Sequence, residues 1–276
     1  LMSAVLSIFK GCDSERQARM VHMLPKIVNL PEFLSMKGYP FIVSLFGLTS
    51  IVVDETVDIL RTIDMSSKAF RQQRLISVIA KSKNAKAIEF LADLCKCEDI
   101  GIHVAKHDLP ILIYSNVDNS KASTNEKETI EKIKNDFGYI PSPTNKTVQP
   151  DPAARHNLEL AVLKLYESVL MQPAAREFVK PVKQPLKLVS LMIDDNPEIA
   201  CNVLSLFPLD NEELSWETEI FEKVAHAADI CNSGVIAMRK LLIAMPNQSL
   251  IPYKGLIEKV VKDHNQLYLD ENMLQN

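Results

Sequence analysis

Apolar residues recur three and four positions apart along nearly the whole chain, and that spacing limits what it can fold into. In "DETVDILRTI" (54–63), Val57, Leu60 and the neighbouring Ile59 and Ile63 form one stripe. "AKAIEFLADLC" repeats it with Ile88, Leu91 and Leu94. So do "LELAVLKLYESVL" (158–170), "EIACNVLSLF" (198–207) and "VIAMRKLLIAM" (235–245). No strand-like alternation competes. Only seven glycines occur in 276 residues, which leaves few tight hairpins and few phosphate-cradling loops. The pattern predicts an all-α protein of about a dozen helices, each roughly 8 to 17 residues long.

Prolines mark where those helices begin. Pro31, Pro40, Pro110, Pro152, Pro173 and Pro197 each precede or open an apolar run, where a missing N–H costs nothing. Asp13-Ser14, Ser66-Ser67 and Asp210-Asn211 have the residue types of N-caps. One stretch breaks the rhythm. Residues 116–152 are polar, charged and proline-punctuated, with Glu126 to Phe137 as a solvated helix at most. The expected organisation is therefore a first helical set over 1–115, a flexible insertion or hinge over 116–152, and a second set over 153–276.

A chain of this length can bury roughly 75% of the surface its unfolded form exposes, so it needs no metal or disulfide staple. A net charge of −4 argues against a broad nucleic-acid footprint, which needs a basic domain. Five cysteines, an odd number without framework spacing, point to a reducing compartment, cytoplasmic or nuclear. Cys95 and Cys97 form a lone C-x-C with no second pair for a zinc site. The glycosylation-type triplets at Asn145 and Asn247 carry little weight without a secretion signal. The longest uncharged stretch, Gly38 to Val53, falls short of the roughly 20 residues a spanning helix needs. Because the chain opens on Leu1 rather than Met, a piece of a longer protein is expected.

Internal repetition appears when three corners are aligned on their prolines: "LSMKGYP" (34–40), "VAKHDLP" (104–110) and "VKPVKQP" (179–185). Each holds a lysine in the loop and runs on into an apolar helix, "FIVSLF", "ILIY" and "LKLVSLM". On these residues "KGYPFIVSLFGLTSIVVDETVDILRTID" resembles an armadillo repeat, and "REFVKPVKQPLKLVSLMIDDNPEIACNVLSLF" (176–207) is similar over a full unit. Armadillo and HEAT-like repeats are not separated by these motifs. The resemblance implies a right-handed superhelical solenoid in which one helix per repeat lines a concave surface that binds a protein or peptide segment.

In the nuclear-import members of that family the lining helix carries a Trp and, four residues on, an Asn. This chain has Asp58 and Thr62 at those places in "TVDILRTI", Glu89 and Asp93 in "AIEFLADL", and Leu163 and Glu167 in "AVLKLYES". Its one tryptophan, Trp216, lies elsewhere. A nuclear-signal receptor is thus disfavoured. Asp58, Glu89, Asp93 and Glu167 would instead make acidic ribs, with Thr62 beside them, that attract a basic segment. A competing basic patch is Arg176, Lys180, Lys183 and Lys187, suited to an acidic protein, a phosphate or a head group. The C-terminal "LIEKVVKDHNQLYLDENMLQN" is amphipathic and fits a cap over the last apolar face.

"HVAKHDLP" (103–110) is the stretch that most resembles chemistry. His103 and His107 are four apart, and His107-Asp108 resembles the dipeptide of some helical metal-dependent phosphohydrolases. The supporting set is thin. Val104 stands where an H-E-x-x-H site needs its glutamate, and His22 is the only earlier histidine. A turn with Asp108 as a turn or cap residue is the expected arrangement. No phosphate loop, nucleophile elbow or kinase signature is present. Asp194-Asp195 and Glu212-Glu213 stand at predicted helix ends rather than in an acid–base pair. The expectation is a non-enzymatic scaffold or adaptor without cofactor or metal, its oligomeric state unread. A hydrolase using His103, His107 and Asp108, or a regulatory arm of a larger enzyme, is the alternative.

Overall fold

A computed structural model describes residues 2–35, 38–109, 152–179, 183–207, 209, 218–244, 254–255 and 257–258. Among them every regular element is helical, with fourteen α-helices and no strand. The first eight are α1 (Met2–Gly11), α2 (Ser14–Ile27), α3 (Leu30–Ser35), α4 (Tyr39–Leu45), α5 (Ser50–Leu60), α6 (Gln73–Lys81), α7 (Ala85–Leu94) and α8 (Glu98–His103). Then follow α9 (Pro152–Leu170), α10 (Pro173–Arg176), α11 (Lys183–Met192), α12 (Pro197–Leu206), α13 (Thr218–Ile230) and α14 (Asn232–Ala244). The stretch 116–151, Pro110, Asp210-Asn211, Trp216 and most of the C-terminal amphipathic run lie outside the described residues.

Local chemistry sets most of the boundaries. Pro152, Pro173 and Pro197 open α9, α10 and α12, while Pro31 and Pro40 stand second in α3 and α4. Asp13 caps α2 by accepting from the Arg16 N–H at 2.8 Å. Ser67 does the same more weakly for a short 3₁₀ turn, Lys68–Arg71, accepting from Ala69 at 3.3 Å. Lys83 has φ 52°, a left-handed conformation that ends α6 where glycine more commonly stands.

The packing follows chain order. Helix α2 lies on α5, α5 on α7, α7 on α9, α9 on α12, and α12 on α14. A second set flanks this row: α4 lies against α5 and α6, α6 against α7, α11 against α9, α12 and α13, and α13 against α12 and α14. The apolar stripes explain why. Val57, Leu60, Ile88, Leu91 and Leu163 are fully buried, each contributing roughly 1.5–3 kcal/mol by leaving water. They belong to one connected core. Aromatic rings lock the layers: Phe9 meets Phe41 edge-on at 5.3 Å, and Phe70 meets Phe90 at 5.6 Å. Helix α14 approaches α13 so closely that a Cβ on Gly234 would sit 2.4 Å from the Ala227 carbonyl carbon.

Candidate functional site

Helices α5, α7 and α9 of the central row each turn one partly exposed, mainly polar stripe away from the core. On α5 the stripe runs through Ile51, Glu55 and Asp58. On α7 it runs through Lys86, Glu89 and Asp93, and on α9 through Lys164 and Glu167 toward Met171, just past the end of that helix. Three- and four-residue spacings place each set on a single helix side. Side chains then link each stripe to the next. His22 of α2 meets Glu55 at 2.7 Å, and Lys86 of α7 meets Asp58 at 2.6 Å. Arg61, just after α5, reaches Asp93 at 2.7 Å. Lys164 of α9 holds Glu89 at 2.7 Å, Asn202 of α12 donates to Glu167 at 3.0 Å, and Lys240 of α14 donates to the Ser205 carbonyl at 2.7 Å. The rungs therefore span the row from α2 to α14.

These contacts change the electrostatics of the proposed ribs. Asp58, Glu89 and Asp93 each face a lysine or arginine of a neighbouring element, and Glu167 faces an amide. Burial raises the Asp93 pKa, but hydrogen bonds from Lys96 and Arg61, with their charges, outweigh it and hold the carboxyl below its ordinary range. Thr62 donates to the Ile59 carbonyl at 2.6 Å, closing the turn after α5. Asn84 does two jobs at once. Its Oδ1 accepts from the Ala87 N–H at 2.9 Å, capping α7, while its Nδ2 donates to Asp54 at 2.8 Å and Ser50 at 3.0 Å on α5.

The basic residues around 176–187 are placed differently. Arg176 Nε donates to the Leu170 carbonyl at 2.8 Å, capping the end of α9. Lys187 is half-buried, Lys183 opens α11, and Lys180 lies outside the described residues. At the other end of the row, α2 and α5 border a cleft of about 480 Å³ in which Met23 and Ile51 are 42% and 47% exposed beside Glu15, Arg19, His22 and Glu55.

The histidine stretch is not an open corner. Helix α8 runs on without a break into a π turn, Val104–Asp108, so Asp108 is a helical residue and not the turn or cap residue expected of it. The wider π backbone carries Asp108 inward, where it is 2% exposed. His103 Nε2 and Asp108 Oδ2 lie 3.4 Å apart, and the His103 and His107 rings are 4.9 Å apart. Burial lowers the His107 pKa, the charge of His103 lowers it further, and Asp108 opposes them in part. Across from this pair, α6 contributes Gln73, Arg74, Ser77 and Lys81, and the two elements enclose a cleft of about 250 Å³. Among the described residues, no group of three or more His, Cys, Asp or Glu side chains is arranged to hold a metal ion. Burial, with the nearby charge of Asp108, pushes the Cys95 thiol well above its ordinary pKa, so it stays protonated.

Several of these residues carry no sequence signal of their own. Arg61, Lys86, Lys164 and Asn202 read as ordinary polar-face residues until the neighbouring helix is in place. Arg74, Ser77 and Lys81 do share one side of "QRLISVIAK" by spacing, but nothing in the sequence says that His103 and Asp108 face them.

The fold and these surfaces define an all-helical protein with a long, rung-linked polar face. Among the described residues no helix is long and apolar enough to cross a membrane. No protein-family model matches the chain, and no curated protein or solved structure does either.

Proposed function

We propose that this chain is a non-enzymatic scaffold, a right-handed superhelical solenoid of armadillo- or HEAT-like repeats that holds a protein or peptide segment along the face of α2, α5, α7, α9, α12 and α14. The observation that carries this reading is the packing of those six helices in chain order, with polar rungs joining each to the next. Repeat arrays contact mainly their neighbours and leave an extended side free. The handedness comes from the armadillo resemblance.

The rungs also bear on the partner. A purely basic segment would have to displace Lys86, Arg61 and Lys164 from their carboxylates. A segment of mixed polarity can instead exchange partners along the face, and its binding would depend only weakly on salt. Affinity capture with mass spectrometry tests the reading, using wild type beside an Asp58→Lys, Glu89→Lys, Asp93→Lys variant whose helicity is checked by circular dichroism. Loss of a captured partner from the folded variant is expected. Identical partners in identical amounts would remove the proposal.

A further inference from the structure

The cleft between α6 and the π turn brings together two kinds of unmet chemistry. At its floor, His103 Nε2 and Oδ2 of the buried Asp108 have no hydrogen-bond partner among the described residues. Their separation of 3.4 Å is too long for a good N–H···O bond. Unpaired buried polar atoms are uncommon in folded proteins and costly to keep. At the rim stand Arg74 and Lys81, two exposed cations that make no salt bridge or hydrogen bond among the described residues. The π turn that aims Asp108 inward is a rare element, frequent at functional sites.

A ligand that meets all of these groups must donate to Asp108, accept from His103 and carry negative charge toward Arg74 and Lys81. A carboxylate or sulfate lacks the donor, and an ammonium group lacks the charge. A phosphate group that keeps one proton has all three features. The cleft, at about 250 Å³, lies below the roughly 300–1,000 Å³ of sites for drug-sized molecules, so it suits a single head group.

We propose that this cleft binds a monoprotonated phosphate group, whose P–OH donates to Asp108 Oδ2 and whose other oxygens accept from His103 Nε2, Arg74 and Lys81. Ser77 lines the same wall and adds a hydroxyl donor. The site is separate from the rung-linked face, so it stands or falls independently of the scaffold reading.

Isothermal calorimetry on the full chain with inorganic phosphate tests this, at about pH 6, where the free ion and a phosphomonoester both keep a P–OH donor. Phosphate is expected to bind roughly tenfold or more tightly than sulfate. Arg74→Ala with Lys81→Ala, at two exposed positions that leave the core intact, is expected to weaken phosphate by roughly tenfold or more, the scale of one lost charge-assisted hydrogen bond. Asp108→Asn is expected to bring phosphate and sulfate to similar affinities, because the amide supplies a donor of its own. If that variant does not fold, the sulfate comparison and the double alanine variant decide. Glycerol phosphate distinguishes the source. Tighter binding than inorganic phosphate marks an esterified group, and weaker binding marks the free ion. No phosphate binding, equal affinity for phosphate and sulfate in wild type, or binding unaltered in the double alanine variant would overturn the proposal.

Discussion

Lys164 Nζ lies 2.7 Å from Glu89 Oε1, tying α9 to α7 through side chains 75 positions apart in the chain. The pair is 38% and 39% exposed, so solvent screening keeps its contribution small. A double-mutant cycle with Lys164→Met and Glu89→Gln is expected to give a coupling of about 0.2–1 kcal/mol in urea unfolding. A coupling indistinguishable from zero would show that α7 and α9 are held together by their apolar stripes alone.

Asn84 is expected to matter more than any exposed rung. Its side chain both caps α7 and reaches Asp54 and Ser50 of α5, and it is 9% exposed. Asn84→Ala removes a cap, which costs about 0.5–2 kcal/mol, and leaves partly buried acceptors with one donor fewer, adding about 1 kcal/mol. Chemical denaturation should show a loss near the sum. A loss under about 0.5 kcal/mol would mean that water replaces the amide at no cost.

Gly234→Ala is expected to destabilise by about 1–3 kcal/mol or more, the range for overpacking. The clash is with the Ala227 backbone, which cannot swing aside as a flexible side chain would. Thermal unfolding reads it directly, and an unchanged midpoint would show that α13 and α14 separate easily.

Lys83→Gly is expected to act in the opposite direction. The left-handed backbone of Lys83 strains a residue with a Cβ by about 1–2 kcal/mol. Glycine relieves that strain but gives back about 0.4–1 kcal/mol through a freer unfolded chain. The strain is the larger quantity, so a net gain of about 0.5–1 kcal/mol should appear as a higher denaturation midpoint. A loss would mean that the Lys83 side chain makes a stabilising contact.

Acid should weaken the fold through His107. Burial and the neighbouring His103 hold its pKa below the ordinary 6.5. Between the folded and unfolded values the unfolded chain binds the proton first, so stability is complete above about 6.5 and falls as pH drops toward the folded value. Urea titrations at steps between pH 7.5 and 5 should show this decline in wild type and a shallower one in His107→Gln. Equal declines would assign the effect to other groups.

The helical class was legible along the described chain, because a three-four apolar stripe has no stable home except a helix with one side covered. The expected lengths were not, since α3, α4, α8 and α10 have 6, 7, 6 and 4 residues and α9 has 19. "AKAIEFLADLC" became α7 and its C-cap Cys95, "LELAVLKLYESVL" lies within α9, and "EIACNVLSLF" lies within α12 except for its C-cap Phe207, with prolines and caps near the starts. The groove candidates were legible only as polar-face positions. Asp58 and Glu89 looked like bare acids because the lysines that meet them come from other helices, 28 and 75 positions away. Although Lys96 lies three positions from Asp93, its second partner, Arg61, is 32 positions away. The turn expected at His107-Asp108 failed for a related reason. A π turn depends on how the backbone must widen to pack its side chains, and no spacing rule records that.

By itself, then, the sequence determined that the chain would be helical and which side of each helix would be hidden, since both depend on neighbours within a turn or two. Only the tertiary structure decided which charges neutralise one another and that Asp108 is buried against His103, opposite Arg74 and Lys81. Those facts depend on which helix lies beside which, and distances of a few ångströms between residues far apart in the chain are set by packing, not by any local pattern.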